Sequence, residues 1–82
     1  MPYYIYIIYS KSLNRYYIGH SNNINRGLIE HNSAQSKSTK ADIPWTLVYS
    51  KHFNSRSEAA KEETRIKRMK SRKFIERLIA FT

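Results

Sequence analysis

The sequence contains no cysteine, only two glycines and two prolines, and six acidic residues against fifteen lysines and arginines in a chain of 82. Without cysteine the chain forms no disulfide, no thiolate zinc site and no cysteine nucleophile, which predicts a reducing, cytoplasmic location. Apolar runs are only a few residues long, and the N-terminus lacks the pattern of a signal peptide. We therefore expect neither a membrane-spanning segment nor export.

Several motifs that would indicate an enzyme class are also missing. There is no GxxxxGK[ST], GxGxxG or GxSxG, so nothing indicates a nucleotide-binding loop or a serine hydrolase. His20, His31 and His52 lack the spacing of a zinc site such as HExxH. One acid on a helix can still hold a hard cation such as Mg²⁺, because this ion takes one or two carboxylates and keeps several waters.

The charge is the strongest bulk signal. The formal net charge is +9, and the segment from Lys61 to Arg77 carries eight basic and three acidic residues. Such a field attracts polyanions, so nucleic acid, with DNA first, is the predicted partner. The residues expected to contact phosphates are Lys67, Arg68, Lys70, Arg72 and Lys73. A solvated basic face is the alternative for this set, and a membrane-surface role for the last basic helix is a weaker one.

A chain of this length supports one small core, so residues 1–82 are predicted to form a single domain. Residues 3–9 and 16–20 are β-branched and aromatic and predict two strands joined as a hairpin by "SKSLNR". Because side chains alternate between the two faces of a strand, one face of the sheet is predicted to pack in the core. If the hairpin centres near residues 12–13, Tyr6 lies opposite Gly19 and diagonal to Tyr17 on the same face.

The rest of the chain predicts a short helix in "SNNINRGLIEHN", with Ser21 or Asn22 as its N-cap, and an exposed loop over residues 33–43. A third strand begins at "PWTLVYS". The capping box from Ser55 to Glu58 opens a strong helix, and Ser71 can cap a last one. The order β-β-α-β-α-α predicts an α+β domain: a small three-stranded antiparallel sheet flanked by helices.

At this point the residues resemble a known family. "YIY" at 4–6, "YIG" at 17–19, "NRGLIEH", "PWTLVYSKHF" and "SRSEAAKEETRIKRMK" are similar, in the same order, to the GIY-YIG nuclease superfamily, in particular its small stand-alone bacterial members. The resemblance implies the GIY-YIG fold and hydrolysis of a phosphodiester with one divalent metal, Mg²⁺ or Mn²⁺. The family's catalytic residues match Tyr6, Tyr17, Arg26, His31 and Glu63.

The resemblance also implies roles. Glu63 would hold the metal, Arg26 would clamp the phosphate, and Tyr6 would be the general base, while Tyr17 and His31 orient water and phosphate. A tyrosine of pKa about 10 is a poor base at neutral pH, so Tyr6 requires a nearby positive charge or a relay through His31.

Two departures from the family pattern keep a second function open. Tyr4 stands where the family name has glycine, and the tail "RLIAFT" has no asparagine. The first hypothesis is an endonuclease acting in DNA repair, recombination or nucleic-acid processing. The alternative is a nucleic-acid-binding module of the same fold with little or no activity. The remaining tyrosines, Tyr3, Tyr9, Tyr16 and Tyr49, and also Trp45 are read as structural.

Overall fold

The computed structural model describes residues 2–32 and 44–80, so the expected loop at 33–43 lies outside the described residues. Within them the element order confirms the predicted β-β-α-β-α-α fold. The elements are β1 (Tyr3–Ser10), β2 (Arg15–Ser21), α1 (Ile24–Asn32), β3 (Trp45–Phe53), α2 (Arg56–Met69) and α3 (Arg72–Ala80).

The three strands form one antiparallel sheet in the order β2-β1-β3, so β2 and β3 are its edges. The tight hairpin pairs Tyr6 with Gly19, which confirms the predicted register. A register shift between Ile7 and Ile8 interrupts the pairing of β1 with β3. Because the register is fixed, every side chain of β1 is assigned to one face of the sheet.

Both faces of the sheet are covered, although the alternation had indicated a single core face. Ile5 and Ile7 pack with Ile66 and Ala59 of α2, while Phe74, Ile75 and Leu78 of α3 flank the same cluster. On the opposite face, Tyr6 and Ile8 form a second cluster with Trp45, flanked by Tyr17 and by Ile24 and Leu28 of α1. A central strand buried on both faces reads as a nearly continuous apolar run, as residues 3–9 do.

Each helix begins directly after a residue whose side chain accepts a hydrogen bond from a backbone amide three residues further on. Ser55 accepts from the Glu58 amide at 3.3 Å, and Ser71 accepts from the Phe74 amide at 3.1 Å, as the sequence predicts. The predicted cap of α1 was wrong, because Asn23 Oδ1 accepts from the Arg26 amide at 3.0 Å. In the part of the chain that the structure describes, no helix is long and apolar enough to cross a membrane.

Candidate functional site

Tyr6 is the most buried of the predicted site residues, with 6% of its surface exposed. Its ring lies over Gly19 of the edge strand, where an added Cβ would come within 2.6 Å of the tyrosine hydroxyl. Gly27 of α1 approaches the same hydroxyl, and a Cβ there would lie 3.5 Å away. The only two glycines of the chain therefore both face Tyr6, and Gly19 is required for the ring to cross the edge strand.

Burial, together with the negative charges of Tyr17, Glu63 and Glu30, raises the pKa of Tyr6 from 10.0 to about 12. Among the side chains that the structure describes, the charges that shift this pKa are negative, whereas a tyrosine base requires a nearby positive charge. At pH 7 only about one molecule in 10⁵ would carry the phenolate. At neutral pH the Tyr6 hydroxyl is therefore protonated and can donate a hydrogen bond.

Glu63 lies on α2, where its carboxylate binds two side chains. Oε1 is 2.7 Å from Nδ1 of His20, and Oε2 accepts from Nζ of Lys67 at 2.8 Å. Burial raises the pKa of Glu63, but the hydrogen bonds from Lys67 and His20 outweigh it, so the pKa lies below its usual value. The carboxylate is ionised at neutral pH and 18% exposed.

Sequence reasoning missed His20 as a site residue. Its spacing excludes it as a zinc ligand, but it directly follows "YIG" on β2. Alternation was the available signal, because His20 shares a face of the strand with Ile18, which packs on the α2 side. Alternation thus predicts which face of the sheet His20 lies on, and the structure places α2 with Glu63 on that face.

Arg26 lies at the rim of the site, with 59% of its side chain exposed. Nη2 donates to Oδ1 of Asn22 at 2.8 Å, and Nε lies 4.0 Å from the Glu30 carboxylate. Its neighbour Gly27 is the residue whose Cβ position faces Tyr6, and consecutive helix positions differ by about 100°. The structure thus brings Arg26 to the surface beside β2 and not to the Tyr6 hydroxyl.

That surface contains a shallow depression of about 260 Å³ beside the edge strand. Its lining residues are Tyr3, His20, Ser21, Asn22, Arg26 and Arg56. The volume is several times the ~30 Å³ of one water molecule, so a phosphate group can enter it. His20 therefore connects Glu63 to a basic concavity.

Tyr17 and His31 are the remaining predicted catalytic residues, and Tyr4 is the departure from the family pattern. Tyr17 packs in the Tyr6 cluster, with its ring 6.1 Å from that of Trp45. His31 is in the last turn of α1, and its side chain lies outside what the structure describes. Tyr4 packs edge-on against His52, with the ring centroids 5.5 Å apart.

The five predicted phosphate-binding residues divide into two kinds. Lys67 binds Glu63, and Arg72 donates to the Asn14 carbonyl at 2.8 Å while its guanidinium lies 5.1 Å from the centre of the Tyr16 ring. These two cations already have partners within the domain. Arg68, Lys70 and Lys73 are exposed and form no ion pair with another described residue.

The donor set fits a cation that takes few protein ligands. Among residues 2–32 and 44–80 there is no group of three or more histidines and acids that would enclose a metal ion. Glu63 supplies one ionised, partly exposed carboxylate, and Mg²⁺ or Mn²⁺ with its own waters needs no more than one or two. Lys67 occupies one of its oxygens and would have to give way.

Comparison with known proteins identifies the family. Residues 2–75 match the model of the GIY-YIG catalytic domain. A UPF0213 protein of Staphylococcus saprophyticus is 42% identical over 65 residues, covering 78% of each chain. A UPF0213 protein of Natronomonas pharaonis is 35% identical over 78 residues, 94% of this chain and 89% of that one.

A solved structure agrees. The solution NMR structure of a UPF0213 protein from Bacillus halodurans matches with a TM-score of 0.63 at 30% identity, over 100% of this chain and 86% of that one. The chain belongs to the GIY-YIG catalytic domain family, which is a family of nucleases.

Proposed function

We propose that the chain is a metal-dependent endonuclease that hydrolyses phosphodiester bonds in DNA. The observation that carries this proposal is the bond between His20 and Glu63, which joins an ionised carboxylate to an imidazole beside a basic depression. Phosphodiester hydrolysis needs a carboxylate to hold a cation, a group to move a proton and a guanidinium to bind phosphate. We assign the activity to DNA repair, recombination or nucleic-acid processing in the cytoplasm.

Binding of the phosphate falls to Arg26. Its present partners are Asn22 and the exposed Glu30, and exposed ion pairs of this kind contribute little to stability. Turning the guanidinium toward a phosphate therefore costs little, and two parallel hydrogen bonds to phosphate oxygens more than replace what is lost.

Glu63 is the residue that would hold Mg²⁺ or Mn²⁺, and such a cation offsets charge on the phosphoryl oxygens and the leaving group. Lys67 neutralises the carboxylate in the absence of substrate. When DNA binds, the backbone phosphates offer the Lys67 ammonium an alternative anion. Binding of DNA would thus free Glu63 for the cation.

The proton of the attacking water requires a base that works near neutral pH. Tyr6 is protonated there because burial raises its pKa to about 12. We therefore assign the base role to His20. Glu63 binds its Nδ1, so Nε2 is the ring nitrogen that would accept the proton of the water. Tyr6 then donates a hydrogen bond that orients the water or a phosphoryl oxygen.

A binding module with little activity is the second candidate, and one observation favours it. The carboxylate of the predicted metal ligand Glu63 is held by both His20 and Lys67. If Lys67 does not release the carboxylate, the domain binds DNA without cutting it.

Incubation of the purified protein with supercoiled plasmid separates the two candidates. The nuclease predicts nicking with Mg²⁺ or Mn²⁺ that a chelator abolishes. The binding module predicts retarded plasmid on a gel, with no nick under either condition. A Glu63→Gln preparation purified in parallel detects a contaminating nuclease, because it is expected to be inactive.

A further inference from the structure

Arg56 has no role in the sequence analysis, yet it reaches the depression that His20 and Arg26 line. It is exposed, and within residues 2–32 and 44–80 it forms no hydrogen bond, ion pair or ring contact. Its guanidinium is therefore available to a ligand. Arg65, nine residues further along the same helix, is instead bound by Glu62 through two hydrogen bonds of 2.7 Å.

The position of Arg56 also argues against a role in stability. It is the first residue of α2, where the positive end of the helix dipole repels a cation. The nearest acid along the helix, Glu58, is two residues away and so does not face it. Without a partner among the described residues, a cation at this end of a helix destabilises the fold slightly, so stability does not account for Arg56.

The lining of the depression indicates what the ligand is. Three elements contribute one basic side chain each: His20 from β2, Arg26 from α1 and Arg56 from α2. None of the six lining residues is acidic, and Asn22 and Ser21 add polar groups. Two guanidiniums and hydrogen-bond donors around an open concavity match the oxygens of a phosphodiester.

The geometry points to a backbone-phosphate subsite in which Arg56 binds a phosphate of the DNA strand, next to the one that Arg26 binds. This inference rests on the proposed function in taking DNA as the ligand, but it does not depend on cleavage. Arg56 is a positioning residue, since it contacts the strand and not the reacting atoms.

The test measures binding of a fluorescent DNA duplex. Fluorescence anisotropy reports the binding constant at several salt concentrations, with a chelator present. We expect Arg56→Gln to weaken binding several-fold and to reduce the slope of log K against log salt by about 1, because one phosphate contact is lost. Arg56→Lys is expected to restore the slope. Lys51→Gln removes the same charge from β3, at the opposite edge of the sheet, and is expected to leave the slope unchanged.

A thermal melt distinguishes binding from folding. Arg56→Gln should melt at the parent's temperature or slightly above it, because it removes a charge that the helix dipole repels. Equal effects of Arg56→Gln and Lys51→Gln on the salt slope would overturn the subsite, even if the parent cuts DNA. If Arg56→Gln reduces the salt slope while the parent cuts no DNA, the result would support the subsite and refute the nuclease.

Discussion

The Nδ1 atom of His20 lies 2.7 Å from Oε1 of Glu63, and this bond joins the edge strand β2 to helix α2. The two residues are 43 positions apart in the chain. Because the carboxylate fixes the ring through Nδ1, the imidazole has a defined orientation before any substrate binds. Pre-organised groups of this kind need no rearrangement when the reaction occurs.

The first prediction concerns His20. We expect His20→Gln to lower the single-turnover cleavage rate by about 10²- to 10⁴-fold, the usual contribution of a general base. DNA affinity should change little. His52→Gln is the control, since His52 is exposed on β3 and contacts the ring of Tyr4.

Comparison with Tyr6→Phe tests which residue is the base. A hydrogen bond to the water or phosphate contributes about tenfold, so Tyr6→Phe should lose far less activity than His20→Gln. The reverse order of losses would return the base role to Tyr6.

The second prediction is a dependence of stability on alkaline pH. The pKa of Tyr6 is about 12 in the folded protein and 10.0 in its ordinary state, so the unfolded chain releases this proton first. The stabilisation by neutral Tyr6 is complete below pH 10 and is lost as the pH rises from 10 to 12. Urea unfolding should show that the parent loses roughly 1 to 3 kcal/mol more than Tyr6→Phe over this range. Parallel losses in the two proteins would contradict the burial of the hydroxyl.

The third prediction is that alanine substitutions at the two glycines change the stability of the domain in opposite directions. Gly19→Ala places a Cβ 2.6 Å from the Tyr6 hydroxyl and should destabilise the domain by about 1 to 3 kcal/mol. Gly27→Ala makes an ordinary contact at 3.5 Å in a helix and should stabilise it by about 0.5 to 1 kcal/mol. Replacing Tyr6 by leucine should relieve most of the Gly19→Ala cost. The measurement is the free energy of unfolding by chemical denaturation of the parent, the two alanine variants, Tyr6→Leu and the double variant Gly19→Ala/Tyr6→Leu. Equal changes in that free energy for both alanine variants would refute this packing.

The fourth prediction concerns Lys67, which binds the Glu63 carboxylate. Lys67→Gln should bind Mn²⁺ more tightly than the parent in the absence of DNA, because the carboxylate no longer carries a competing ammonium. The readout is the rise in melting temperature with added Mn²⁺. Lys61→Gln removes a similar exposed charge from the same helix and should behave like the parent.

The fold could be predicted because strand alternation, hairpin length and helix caps are all local patterns in the sequence. Alternation and the short hairpin fix the pairing of Tyr6 with Gly19, and the Ser55 and Ser71 caps mark where α2 and α3 begin. The α1 cap was misplaced because Ser21, Asn22 and Asn23 are all good N-caps. Only the path of the chain leaving β2 selects Asn23.

The site depends on contacts that no local pattern encodes. The His20 bond to Glu63 requires the position of α2 across β2, which alternation alone does not supply. Arg26 and Gly27 differ by about 100° of rotation, so a shift of one residue decides which of them faces Tyr6. Arg72 looks like a surface cation in the sequence and proves to be bound to Asn14 of the hairpin.

The most direct test of the proposed nuclease compares Glu63→Gln with Glu62→Gln in single-turnover cleavage of plasmid with Mg²⁺ or Mn²⁺. The two acids are neighbours on α2, and both form ion pairs, Glu63 with Lys67 and Glu62 with Arg65. The proposal predicts that Glu63→Gln abolishes metal-dependent cleavage while Glu62→Gln cuts at nearly the parent's rate. Equal rates for Glu63→Gln and the parent would contradict it.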